Sequence, residues 1–177
     1  MLLKRIYYDY KQFRREDGPT SFFINDAEAM PAGTEIYAMP VEDKSDEYDR
    51  VSKKNGIYFI FEDNIPENPF YSVPYLCLFA TDGGNGFFAC KHIPDVEFEE
   101  PIYYIPGRKK VYRVAESLEE LISGGRSWQE KLRQSRKVKL YDSRSRAEMN
   151  EPFVDDSMIN MEPLPELSVQ ELKKLFR

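Results

Sequence analysis

Residues 74–91, PYLCLFATDGGNGFFACK, leave the backbone few choices. Tyr75 to Thr81 is uncharged and rich in aromatic and branched side chains, and Gly86 to Cys90 is similar. Apolar runs bounded by turn residues read as buried strands. Between them, Asp82-Gly83-Gly84-Asn85-Gly86 places three glycines within four positions, which permits positive φ and an immediate chain reversal. The pattern predicts an antiparallel hairpin at the core of the fold, with Cys77 and Cys90 buried in its strands as reduced, small hydrophobes. A phosphate cradle fits less well. The Gly-Lys-Ser/Thr ending and the G-x-G-x-x-G spacing are both absent, and a strand-like Phe87-Phe88-Ala89-Cys90 follows where an anion site would need a helix N-terminus.

The 177 residues suffice for one domain with a real core plus an extension. Hydrophobic residues make up 41% and aromatics 14%, a composition that suits a β-rich globule rather than a disordered chain. Apolar runs such as Ile57 to Phe61 fall far short of the roughly 20 residues that cross a bilayer. The N-terminus does not resemble a secretory signal, so a cytoplasmic, bacterial setting is expected. Residues 1–125 carry 14 Lys and Arg against 22 Asp and Glu, whereas 126–177 carry 11 against 9. An acidic body argues against nucleic acid as the main ligand and favours a basic protein partner.

Along the chain, Tyr7, Tyr10 and Phe13 have the spacing of a short amphipathic helix, stopped by Asp17-Gly18-Pro19. Thr20–Asn25 and Thr34–Pro40 read as strands, separated by Asp-Ala-Glu and Met-Pro-Ala-Gly. The charge run 41–54 reads as a solvated helix or loop. After Asn55-Gly56, the non-alternating GIYFIFE predicts a strand buried on both faces. Prolines 66, 69 and 74 predict an irregular path into the hairpin. Residues 101–105 and 111–114 are further strands. Ser117 with Glu120 forms a capping box for a helix whose Leu118, Leu121 and Ile122 lie on the sheet, and Gly124-Gly125 ends it. This places a domain boundary at 125, with 126–177 as an extension of short helices. One starts at Ser127 and carries Trp128, and one starts at Ser168 with an apolar stripe of Val169, Leu172, Leu175 and Phe176. The extension's basic stretch, 126–148, is expected to fold back on the acidic body.

The order of apolar strand, Thr-Asp-Gly-Gly-Asn-Gly turn, aromatic strand, Pro-Ile-Tyr strand and the capped helix Ala115 to Ile122 resembles the SUKH superfamily of bacterial toxin-immunity proteins and yeast cell-wall assembly regulators. Tyr10-Lys11-Gln12-Phe13 with Asp17-Gly18 is similar to the family's first helix and the turn after it. The family's usual Leu-Pro before that helix is missing here, and its pattern does not extend to 126–177. The resemblance implies an α+β domain, mainly an antiparallel sheet with helices against it, that binds a protein partner and has no known catalytic residues. The implied partner is the toxic domain of a bacterial toxin, often a nuclease, whose basic substrate cleft an acidic inhibitor can enter.

The side chains themselves offer little chemistry. His92, the one histidine, follows the second hairpin strand and could act as a base with Asp82 or Asp95, close in sequence to Cys90; a small hydrolase or transferase built on His92 is the competing reading. No C-x-x-C or H-E-x-x-H spacing suggests a metal, the acidic cluster at 42–49 lacks an EF-hand's glycine and final glutamate, and no cofactor motif is present. Two acidic runs are the expected partner-binding residues. They are Glu42, Asp43, Asp46, Glu47 and Asp49, or else Glu97, Glu99 and Glu100.

Overall fold

The runs flanking the glycine turn become strands β7 (Leu76–Thr81) and β8 (Phe87–Cys90), paired antiparallel in a computed structural model that describes residues 4–13, 18–97 and 99–154. Cys77 faces Cys90 across the ladder, and both are buried free thiols. Strands β9 (Ile102–Ile105) and β10 (Tyr112–Ala115) extend the sheet antiparallel, and β11 (Arg133–Gln134) ends it. The other edge of β7 is shared. Strand β4 (Thr34–Ile36) pairs parallel with Leu76 to Leu78, and β5 (Tyr58–Phe59) pairs antiparallel with Ala80 and Thr81.

Both faces of this seven-stranded sheet are covered, which is why β7 and β8 do not alternate with polar residues. Cys77, Phe79, Phe88 and Cys90 share one core with Ile57, Leu118, Leu121 and Trp128. Leu76, Leu78, Phe87 and Ala89 face a second core with Phe70, Ile105, Val111 and Val138. With its helices against largely antiparallel sheets, the fold is α+β.

The N-terminal segment departs from expectation. Lys4–Asp9 is a strand, β1, and not a helix, because Ile6, Tyr8 and Tyr10 also satisfy a period of two and Tyr8 buries its ring against Phe13 and Phe22. It pairs parallel with β3 (Ala27–Ala32), which pairs antiparallel with β2 (Phe22–Ile24). Strand β3 runs through the Met-Pro-Ala segment expected to be a connection. Pro31 fits because its carbonyl accepts from Tyr75 N–H, away from β1; its ring nitrogen lies on that same side, so no ladder bond to β1 is lost.

Helix α1 (Asp46–Asn55) follows a 3-10 turn at Val41–Asp43, and α2 (Leu118–Ser123) is capped by Ser117, whose hydroxyl accepts from Glu120 N–H at 3.1 Å. The Glu120 carboxylate reaches one residue further back than a capping box requires, to Glu116 N–H at 2.7 Å.

Residues 126–154 pack against the elements before them, with Trp128 and Val138 in the two cores of the sheet. Gly125–Gln129 is a 3-10 helix without a side-chain cap, where a Ser127-capped α-helix was expected, because Trp128 is drawn into the core against Phe88 and Tyr104. Strand β12 (Lys139–Tyr141) pairs with β6 (Tyr71–Val73), and α3 (Arg144–Asn150) is capped by Ser143. The basic stretch does fold back, with Lys131 on Glu120 at 3.0 Å and Arg126 donating to the Lys53 carbonyl at 3.2 Å. The helix expected from Ser168, with Val169, Leu172, Leu175 and Phe176, lies outside the described residues.

Candidate functional site: an acidic aromatic groove beside the first helix

The charge run 41–54 resolves into an amphipathic helix with an ordered charge gradient. Asp46, Glu47 and Asp49 occupy the first turn of α1 and Lys53 and Lys54 the last, each sign at the pole of the helix dipole that favours it. From this helix Tyr48 turns inward towards the sheet. Its ring meets Phe59 at 5.3 Å and Phe61 at 5.4 Å, both edge to face.

The segment expected to be a fully buried strand is only partly one. The ladder with β7 covers Tyr58 and Phe59 alone, and Tyr58 remains 44% exposed where β7 ends at Thr81. This leaves a groove of about 400 Å³ between α1 and the chain after β5, with Asp46, Asp49 and Asp63 as its acids and Tyr48, Tyr58 and Phe61 among its rings. Lys44 is its one cation, 2.5 Å from Asp63 Oδ2 and 5.1 Å from the centre of the Phe61 ring. Glu42, Asp43 and Glu47 are exposed on the same segment. Among the described residues, none of the five acids from Glu42 to Asp49 is ion-paired.

The glycine turn abuts this groove. Gly83 adopts φ +81°, and a Cβ there would lie 2.9 Å from Tyr58 Cε2, so the main chain packs directly on that ring. The turn is organised by Asp82, whose Oδ1 accepts from Gly84 N–H at 2.7 Å and Gly86 N–H at 3.0 Å while Oδ2 accepts from the Tyr104 hydroxyl at 2.8 Å. Burial pushes the Asp82 carboxyl up, but these hydrogen bonds outweigh it and hold it below its usual range. A Cβ on Gly86 would collide with Asp82 Oδ2. Gly84 and Asn85 are exposed at the tip.

The second acidic run lies at the opposite end of β8 from this turn. Glu97 and Glu99 are exposed there, beside exposed Ile93 and Val96, whereas Glu100 is engaged by His92: its Oε1 lies 2.6 Å from the ring Nδ1 and its Oε2 accepts the His92 N–H at 3.1 Å. His92 is therefore brought to Glu100 and not to Asp82, a strand length away, or to Asp95, whose Oδ1 accepts Glu97 N–H at 3.0 Å. The Cys90 thiol donates to the His92 carbonyl at 2.7 Å, and hydrogen bonding to Cys77 together with burial pushes its pKa well up. This geometry holds Cys90 as a protonated, enclosed thiol.

A second cavity, of about 370 Å³, opens between β1 and α3. Its buried Asp9 is fully engaged by Lys11 N–H at 3.0 Å and the Tyr71 hydroxyl at 2.9 Å, with Arg144 at 3.9 Å. Among the described residues, no three His, Cys, Asp or Glu side chains converge as a metal site requires.

No family model, curated protein or solved structure matches the chain. The groove therefore rests on its own geometry. The sequence points to Asp46 and Asp49 among its acids but not to Lys44, Tyr48, Tyr58, Phe61 or Asp63. The available signal was the exposed tyrosine in an otherwise apolar GIYFIFE next to a helix bearing another tyrosine.

Proposed function

We propose that this chain is a non-enzymatic protein-binding domain that receives a basic segment of a partner in the groove beside α1, acting as an immunity protein that neutralises a bacterial toxin by direct binding. The observation that carries this reading is the set of exposed carboxylates from Glu42 to Asp49, not ion-paired among the described residues, two of which, Asp46 and Asp49, line a groove with exposed Tyr58. Such carboxylates steer a basic partner, and aromatic rings supply the contact area that anchors it. The resemblance carried by residues 75–123 points to the same class. A nuclease toxin suits the charge, because its substrate cleft must be basic. Two free thiols and the absence, among the described residues, of any helix long and apolar enough to cross a membrane fit action in the cytoplasm.

The test seeks a toxic domain encoded by the neighbouring gene and measures its association with this chain by stopped flow across a salt series. Neutralising Asp46 and Asp49 to Asn is expected to slow association about tenfold at low salt, to lose that difference at high salt, and to lower the melting temperature by no more than about 4 °C. Equal rates for wild type and variant at every salt concentration would remove the groove from the interface.

A further inference from the structure

We infer that the partner group seated in this groove is an arginine side chain, and that Lys44 is its internal competitor. The inference rests on the binding role proposed for the groove and adds to it the ligand's chemistry and a built-in opponent. Lys44 already makes the two contacts an incoming cation would seek there: a carboxylate, Asp63 Oδ2 at 2.5 Å, and an aromatic face, Phe61 at 5.1 Å. The pair is weakly held. Its two side chains are 44% and 47% exposed, and ion pairs so open to water are readily exchanged.

What Lys44 leaves unused selects the newcomer. Asp46 and Asp49, three residues apart, lie on one face of α1 and both line the groove. A second ammonium, a point charge with three donors and no planar face to stack, would reproduce what Lys44 supplies. A guanidinium presents five N–H donors in a plane, enough to bridge two carboxylates while its face stacks on the exposed Tyr58 ring. Tyr58 is held for this from behind by the main chain of Gly83. Lys44 lines the same groove, so its ammonium opposes the incoming charge until it swings to water on its flexible stem.

Two peptides of one sequence, bearing three arginines or three lysines, would be titrated into the full chain and followed through its amide NMR shifts. The arginine peptide should bind at least about fivefold tighter than the lysine peptide and shift residues 44–63. Lys44→Met should tighten arginine-peptide binding about two- to fivefold, while Lys53→Met, the same charge change at the far end of α1, should stay within about twofold of wild type. Equal tightening by both variants, or none by Lys44→Met, overturns the competitor. Equal affinity for the two peptides overturns the arginine preference. If Asp46→Asn with Asp49→Asn weakens either peptide in those cases, the groove keeps its binding role; if neither peptide moves residues 44–63, both readings fall.

Discussion

The indole N–H of Trp128 donates to the main-chain carbonyl of Asn55 across 2.8 Å, so a residue beyond the second helix closes the end of the first. The Asn55 side-chain amide completes the junction by donating to the carbonyls of Leu121 and Ile122 at 3.1 and 2.6 Å. The C-terminal end of α1 is thereby fixed to α2, while its acidic end faces the groove.

Truncating Trp128 to Ala should cost about 3–5 kcal/mol through the cavity it leaves beside Phe88 and Tyr104. Phenylalanine, which fills part of the space but cannot donate, should cost about 1–3 kcal/mol. Urea unfolding followed by far-ultraviolet circular dichroism measures both. A Trp128→Ala chain as stable as wild type would place the core elsewhere.

Acid sensitivity should trace in part to Asp82. Its folded-state pKa is depressed, so the unfolded chain binds more protons over the interval between the two values. The stabilisation is complete above the unfolded value of about 4 and is lost as pH falls through the folded one. Asp82→Asn should lower the urea midpoint at pH 7 and flatten its fall between about pH 5 and 2. Because the carboxyl is partly open to water, the effect should stay below about 1 kcal/mol. A variant that keeps the wild-type acid limb contradicts this role.

Cys77 and Cys90 should resist a thiol reagent in the native chain and react together on unfolding, since both are about 1% exposed. Mass spectrometry after alkylation without reductant should find two carbamidomethyl groups and no Cys77 to Cys90 disulfide. A native chain whose thiols titrate within seconds would mean that the β7/β8 hairpin opens readily.

His92→Ala should leave stability within about 0.5 kcal/mol and partner binding within about threefold, because the His92 to Glu100 pair is exposed. General acid–base groups contribute about 100-fold or more, so a loss of that size in a folded variant would transfer the function to this end of β8.

The hairpin and the Ser117-capped helix were legible because each is specified locally: glycines between uncharged runs in one case, a cap, an apolar face and a stop in the other. Strand β3 was not, since Pro31 signals a break unless one knows that its nitrogen faces away from β1. For β1, the apolar positions between Ile6 and Phe13 fit two periods at once, and only the packing of Tyr8 on Phe13 and Phe22 decided between them. Trp128 shows the same limit: Ser127 reads as a cap, but burial of the indole took precedence over local signals. In the groove, Asp46 and Asp49 were visible in a charge run, whereas Tyr58, Phe61 and Asp63 belong to a segment whose exposure depends on where β7 stops.

The division of one β7 edge between β4 and β5 has a further consequence for recognition. Backbone groups along that edge are already paired from Leu76 to Leu78 and again at Ala80 and Thr81, so a visitor to the neighbouring groove cannot add a strand to that edge of β7. Its grip must come from side chains. On the binding reading proposed above, the groove would ask for a charge and a plane at the right place and not for one backbone form, so that a helix, a loop or an extended tail could each present them.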